Sequence, residues 1–202
     1  FNHYAKIRSM SGLTGAAAAE RVLHSAGIYD VSIQRISGQL TDHYDPRTKT
    51  LRLSDSTYGS NSIAAVCVAA HECGHAIQDK EKYGPLVLRS TLVPAANFGS
   101  SLSWPVFIAG LILSIRPLVT AGIILFSLAV LFQLVTLPVE FNASSRALKI
   151  LESSHMLSDT ELSGGRKVLK AAALTYVASL AASVLQLLRL IILSGGRRRD
   201  DD

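Results

Sequence analysis

The chain has 202 residues, of which 49% are hydrophobic and only 17% charged, and its mean hydropathy is +0.31. This balance is too apolar for an ordinary soluble domain and indicates contact with lipid, while the length allows a small folded domain together with membrane helices. The formal net charge is +5, but the basic residues are scattered and form no stripe with interleaved aromatic residues, which argues against nucleic acid as a partner.

The first part of the chain predicts one helix and a small amount of strand. A helix is predicted over residues 13–26, with Thr14 as its N-cap. Alternating apolar and polar residues predict a strand over residues 29–36. The turn pair Asp45-Pro46, between two short extended segments, predicts an antiparallel hairpin within residues 40–53.

A second helix is predicted over residues 63–79, with a serine of residues 60–62 as its N-cap. Its two cysteines, Cys67 and Cys73, face different sides of the helix, so we expect them not to form a disulfide. Glycine inside a helix costs about 1 kcal/mol relative to alanine, and we expect the close approach of another backbone to explain Gly74.

Two apolar runs follow, at residues 98–114 and 118–137, with a break at Arg116-Pro117. The second run has 20 residues, which as a helix span about 30 Å, the thickness of the hydrocarbon core of a bilayer. We predict a transmembrane helical hairpin. The alternative, two buried helices of a soluble bundle, is less favoured because neither run has a polar face.

A third apolar helix is predicted over residues 168–193. Arg166 and Lys167 precede it and three arginines, at residues 197–199, follow it, as is typical of a membrane boundary. We predict that this helix also spans the membrane, the alternative being that it lies against the other helices. The three aspartates at residues 200–202 predict a solvated tail.

Residues 71–75 read His-Glu-Cys-Gly-His, which has the spacing of a zinc-peptidase site. Four residues turn a helix by about 400°, so the imidazoles of His71 and His75 share one face and can both reach one Zn²⁺ ion at about 2.0–2.1 Å. Glu72 can reach a water on the metal without being a ligand, and it can take the proton of that water as general base. The alternative is two hydrogen-bonded core histidines beside a surface glutamate.

A catalytic zinc needs a third protein ligand and an open position. We favour Glu140, because two spans return the chain to the side it left and so place Glu140 on the same membrane face as the motif helix. We expect Glu140 to begin a helix whose small residues pack closely on the motif helix; alternatively, it is only a helix-start carboxylate stabilised by the dipole. Cys67, one turn before His71, is a weaker alternative ligand. Among the remaining candidates His155 is the most favoured. The others are Glu152, Asp159, Glu161 and His43.

The predicted hairpin offers further candidates for catalysis and binding. His43 or Tyr44 would stabilise an oxyanion if the hairpin borders the cleft, although turn and strand residues more often have no such role. The edge of the hairpin would also bind an extended peptide by strand addition, which suits a peptidase.

Three segments resemble a known family, the bacterial YugP-type membrane neutral zinc metallopeptidases. The resemblance covers about residues 4–199 and implies zinc-dependent peptide hydrolysis and a further membrane helix before residue 1. The layout is more distantly similar to membrane gluzincins, which include prenyl-protein and heat-shock membrane proteases. Their third ligand, the glutamate of Glu-x-x-Ala-Asp, corresponds to Glu140, and Ser144 stands in place of the aspartate. The three segments are LTDHYDPRTKT at 40–50, HECGH at 71–75 and LVTLPVEFNAS at 134–144.

We therefore predict an α+β fold, in which a zincin-like catalytic unit, with a small β-hairpin packed on the motif helix, is combined with transmembrane α-helices. The predicted metal ligands for Zn²⁺ are His71, His75 and Glu140, and Glu72 is the predicted catalytic base. The predicted parts are a zincin-like N-terminal part (1–97), a transmembrane hairpin (98–137), a third-ligand helix and loop (138–165), and a C-terminal membrane helix with a charged tail (166–202).

The predicted function is hydrolysis of peptide bonds in protein or peptide substrates, including membrane or misfolded proteins. The predicted location is the lipid bilayer of a bacterial plasma membrane, with the site on the cytoplasmic side. Two alternatives stay open: a catalytically inactive zinc-binding scaffold or chaperone-like membrane protein, and a metal-free structural membrane protein.

Overall fold

The computed structural model describes residues 3–195, which are mostly helical with one small three-stranded sheet. The three arginines at 197–199 and the aspartate tail lie outside the described residues, so the predictions for them stay untested. The elements in chain order are α1 (Gly15–Ser25), β1 (Ser32–Ile36), β2 (His43–Asp45), β3 (Thr50–Ser54), α2 (Asp55–Tyr58), α3 (Ile63–Lys80), α4 (Gly84–Ile112), α5 (Arg116–Ser153) and α6 (Asp159–Gly195).

The chain forms two compact units, each of which draws on separate stretches of sequence. Unit 1 comprises residues 1–86 and 139–174, and unit 2 comprises residues 87–138 and 175–202. This division is by compactness, so it does not test the four parts predicted from the sequence, which were divided by function, and these stay a prediction.

The two short helices predicted in the N-terminal part are confirmed, with their caps. The Thr14 hydroxyl accepts from the backbone N–H of Ala17 at 3.2 Å at the start of α1. The Ser62 hydroxyl does the same for Ala65 at the start of α3. Such bonds satisfy backbone donors that have no partner inside the helix. Both helices bury small and branched side chains against one another to form the core of unit 1, including Ala18, Val22, Leu23, Val66, Ala69, Ala70 and Cys73.

The sheet has the strand order β1-β3-β2. β2 and β3 pair antiparallel, which confirms the predicted hairpin, whereas β1 pairs parallel to β3, which the sequence pattern did not indicate. Leu51 and Leu53 of the central strand are fully buried. The Tyr44 hydroxyl on β2 donates to Asp79 on α3 at 2.9 Å, so the hairpin is tied to the motif helix.

The C-terminal part of α5 and the start of α6 complete unit 1. A Cβ added at Gly74 of α3 would lie 2.5 Å from the carbonyl oxygen of Ala143 in α5, so the two backbones are in direct contact there. Ala143 and Ala147 are fully buried. The predicted reason for a glycine inside α3 and the predicted close packing of small residues are both confirmed.

Unit 2 consists of helical segments whose apolar surfaces are largely exposed. Within it, a Cβ added at Gly122 of α5 would lie 2.6 Å from the Cβ of Phe107 in α4, which confirms a closely packed helical hairpin. Gln133 of α5 donates to the hydroxyl of Ser183 in α6 at 2.9 Å. By length and composition, α4, α5 and α6 are each long and apolar enough to cross a membrane.

The helix boundaries correct two sequence expectations. Helix α4 begins at Gly84 instead of residue 98 and contains two prolines. Helix α5 continues through Pro138 to Ser153, so Glu140 lies inside a helix and does not begin one. Proline inside a helix removes one backbone hydrogen bond and its ring crowds the carbonyl four residues earlier, which costs about 3 kcal/mol. The residues beyond Pro138 offset this cost by their burial against α3. The alternative in which Glu140 is a helix-start carboxylate is therefore wrong.

Gly74→Ala tests the contact between α3 and α5. We expect the free energy of unfolding to fall by about 1–3 kcal/mol, because the added methyl group would overlap the Ala143 carbonyl in a packed interior. Chemical unfolding in detergent micelles measures this change. Gly59→Ala is the matched control, since a Cβ there meets nothing within 4 Å; equal stability of the two variants would contradict the contact.

Candidate metal centre

Three side chains from two helices meet in unit 1. The rings of His71 and His75 on α3 have centroids 4.8 Å apart and planes at 84° to each other. Glu140 on α5 points its Oε2 at both, 3.2 Å from Nε2 of His71 and 3.6 Å from Nε2 of His75. The Glu140 side chain is 3% exposed, so this carboxylate is held inside the protein.

The contact between Gly74 and Ala143 explains why these groups can meet. His71 and Glu140 each lie three residues before the contact on their own helix, which is less than one turn, and His75 is adjacent to Gly74. Because the backbones touch at this point, the side chains of all three residues reach a common centre.

The donor set fits a zinc ion. Three ligand atoms, one from each of His71, His75 and Glu140, lie within 4.8 Å of one another. Ligands at 2.0–2.1 Å in a tetrahedron are about 3.3 Å apart, and the two distances from Glu140 Oε2 lie on either side of that value. Two imidazoles and one carboxylate leave the fourth position open, as a catalytic zinc requires.

Both imidazoles have a partner on the nitrogen that faces away from Glu140. Nδ1 of His71 lies 3.0 Å from the hydroxyl of Ser144, and Nδ1 of His75 lies 3.0 Å from Oε1 of Gln78. Hydrogen bonds of this kind orient metal-ligating histidines and leave the other ring nitrogen available to the ion.

Glu72 lies next to His71 on α3 and is 9% exposed. Burial lowers the pKa of His75, but the Glu140 carboxylate that its Nε2 faces, the charge of Glu72 and the bond to Gln78 outweigh it and raise that pKa overall. The Glu72 carboxylate is thus close enough to act electrostatically on the His75 ring. The centre combines negative charge with little exposure, which favours a bound cation.

The other sequence candidates for a third ligand have different partners. His155 is exposed and its Nδ1 lies 3.0 Å from the Glu152 carbonyl oxygen. Glu161 accepts from the backbone N–H groups of Met10 and Ser158. The remaining candidates lie elsewhere: Glu152 pairs with Arg166, Asp159 begins α6, and His43 contacts the Thr41 carbonyl.

Cys67 packs away from the three-residue cluster. A Cβ on Gly165 of α6 would lie 2.5 Å from its sulfur, so the thiol faces α6. Burial, with a smaller effect of the Glu161 charge, raises the pKa of Cys67 to about 12. The direction of this thiol, toward α6 and away from the cluster, makes Cys67 unsuited to be the third ligand. The structure does not bring Tyr44 to the cluster either, because its hydroxyl is bonded to Asp79.

The sequence did not assign a role to Gln78, and it indicated Ser144 only as a small packing residue that stands in place of an aspartate. Gln78 follows His75 by three positions on α3, a spacing at which helical side chains meet, so the pattern contained a signal for it. The contact of Ser144 with His71 depends on how α5 crosses α3, which no local pattern encodes.

The cluster, the buried glutamate beside it and the three apolar helices are the features that the class of membrane zinc metallopeptidases requires. The chain belongs to the family described as "Putative neutral zinc metallopeptidase", whose model matches residues 1–195. It is 49% identical, over 193 residues, to a Bacillus subtilis (strain 168) protein named "Putative membrane protease YugP"; the match covers 96% of this chain and 86% of that relative. No solved structure matches the chain, so the zincin-like description of unit 1 stays a prediction.

Metal analysis of purified protein tests the cluster. We expect one zinc per chain, and we expect His71→Ala, His75→Ala and Glu140→Ala each to weaken zinc binding by more than the roughly 10- to 100-fold typical of losing an outer hydrogen bond. Competition with a fluorescent chelator measures the affinity. His155→Ala is the control and should bind zinc like the wild type; loss of zinc in this variant alone would assign the third ligand to His155.

Proposed function

We propose that the protein is a membrane-embedded zinc endopeptidase in which His71, His75 and Glu140 hold the ion and Glu72 is the general base. The observation that carries this proposal is the convergence of three donor atoms from α3 and α5, with a fourth ionisable side chain adjacent to one of them. A purely structural zinc site is usually closed by four protein ligands, and this one has three.

The roles of the residues follow from their positions. When bound, zinc supplies a Lewis acid that lowers the pKa of a water molecule toward 7 and polarises the scissile carbonyl. Glu72 takes the proton of the attacking water and then delivers it to the leaving amine, so one carboxylate acts as base and as acid. His71 and His75 keep Nε2 toward the centre because Nδ1 is engaged by Ser144 and Gln78 respectively.

The proposed substrates are membrane or misfolded proteins. The apolar run of α5 ends at Leu137, three residues before Glu140 in the same helix, so a metal ligand follows directly on a segment suited to lipid. A polypeptide that emerges from the bilayer, or that exposes apolar segments after unfolding, matches such a setting. Extended peptide binding along the hairpin edge would orient the scissile bond.

We place the site on the cytoplasmic side of a bacterial plasma membrane. Cytoplasmic segments near membrane helices carry an excess of lysine and arginine. Five basic residues are predicted on the site side, namely Arg146, Lys149, Arg166, Lys167 and Lys170. Four are predicted on the opposite side if the third apolar helix spans, namely Arg116 and the three arginines at residues 197–199, so the excess on the site side is small.

Glu72→Gln separates hydrolysis from metal binding. We expect cleavage of fluorescent casein by detergent-solubilised protein to fall by about 10²- to 10⁴-fold, the usual contribution of general acid–base catalysis, while the zinc content stays at the wild-type level. Glu20→Gln, an exposed change on α1, is the matched control.

The outcomes of this experiment distinguish the proposed function from its alternatives. Full activity in Glu72→Gln would end the assignment of Glu72 as general base. Stoichiometric zinc without turnover of any substrate by the wild type would favour the zinc-binding scaffold, and absence of zinc would favour the structural membrane protein.

A further inference from the structure

A chain of hydrogen bonds with only one consistent arrangement of donors and acceptors leads from the surface of unit 1 to the ring of His75. Its anchor is Arg146, which has donors only. Nη1 of Arg146 pairs with Glu81 at 2.7 Å, and the guanidinium carbon lies 5.8 Å from the centre of the Tyr83 ring. Glu81 and Tyr83 therefore hold the arginine in place independently of its contact with Asn142.

Arg146 sets the orientation of the next amide. Its Nε lies 2.6 Å from Oδ1 of Asn142, and because Nε can only donate, the atom facing it must be the amide oxygen. The same oxygen lies 3.0 Å from Nε2 of Gln78. Oxygen and nitrogen of an amide are otherwise interchangeable in shape, so this contact removes the ambiguity.

Gln78 is then held by two acceptors. Its Nε2 donates to Asn142 and also, at 2.8 Å, to the carbonyl oxygen of Val139, the residue directly before Glu140. A flipped amide would place an oxygen against both acceptors inside the protein, where Gln78 has no exposure to water. The Gln78 oxygen therefore has to face His75.

The orientation of Gln78 decides which ring nitrogen of His75 carries the proton. Oε1 of Gln78 lies 3.0 Å from Nδ1 of His75 and can only accept, so Nδ1 must donate. A neutral imidazole has a single N–H, which leaves Nε2 with its lone pair on the side of Glu140. A metal ion binds the nitrogen that has the lone pair.

We propose that Gln78 is a positioning residue that fixes His75 as its Nδ1–H tautomer and holds α5, next to Glu140, against α3. This inference rests on the proposed metal centre but not on peptide hydrolysis. It assigns Asn142 and Arg146 a supporting role, since they orient Gln78 and do not contact the ligand atoms.

Gln78→Met tests the proposal. Methionine has a similar length, but its sulfur is only a weak acceptor for the His75 N–H, and it has no N–H to donate to Asn142 or Val139. We expect zinc affinity of the full-length protein in detergent to fall by about 10- to 100-fold, as measured by chelator competition. Gln34→Met, on the exposed face of β1, is the matched control and should bind zinc like the wild type. A folded Gln78→Met protein with wild-type affinity would overturn the proposal.

A spectroscopic readout separates positioning from a general loss of stability. In zinc-loaded protein with ¹⁵N-labelled histidine, we expect two Nδ1–H resonances that exchange slowly with water. Gln78→Met should abolish the slow exchange of the resonance from His75, while Ser144→Ala should affect the resonance from His71. A role in stability alone would lower the unfolding temperature and leave both resonances protected, which would contradict the proposal.

A second pair of variants keeps the test decisive if Gln78→Met does not fold. Asn142→Asp retains an acceptor for Gln78 and Arg146, whereas Asn142→Leu removes it. We expect weaker zinc binding in the leucine variant than in the aspartate variant; equal affinities would overturn the inferred chain. Zinc results as expected in a protein without peptidase activity would leave this inference standing and remove the proposed function.

Discussion

The site depends on the direct contact of two helix backbones at Gly74 and Ala143. Without a side chain at residue 74, α5 comes close enough to α3 for a glutamate to reach both histidine rings. The intrinsic cost of a glycine in a helix, about 1 kcal/mol, is tolerated because the approach it allows also buries Ala143 and Ala147. The same close contact therefore packs the two helices and brings the three side chains of the site together.

Around that contact, the polar side chains of the three-residue cluster and of Gln78 all have partners. The carboxylate of Glu140 faces two imidazoles, each imidazole has an acceptor or hydroxyl behind it, and Gln78 uses both ends of its amide. Burying such groups without partners would cost several kcal/mol. The network is therefore preorganised, and its three donor atoms already lie within 4.8 Å of one another.

Much of this arrangement could be predicted from the sequence, because it depends on local signals. The helix that carries the motif, its serine cap and the hairpin follow from periodicity and turn residues, and Glu140 followed from counting membrane crossings. The parallel pairing of β1 with β3 could not be predicted, since strand order depends on long-range contacts. The helix expected to begin at Glu140 is instead the continuation of α5 through Pro138, because packing of the following residues against α3 offsets the cost of a proline inside a helix.

The two cysteines of α3 have a consequence for the protein under oxidative stress. Burial raises the pKa values of Cys67 and Cys73, and the thiolate is the form that oxidants attack. Both cysteines are also fully buried, which limits the access of peroxide to their sulfurs in the folded state. The proposed metal centre has only nitrogen and oxygen donors, so it offers an oxidant no sulfur ligand to modify.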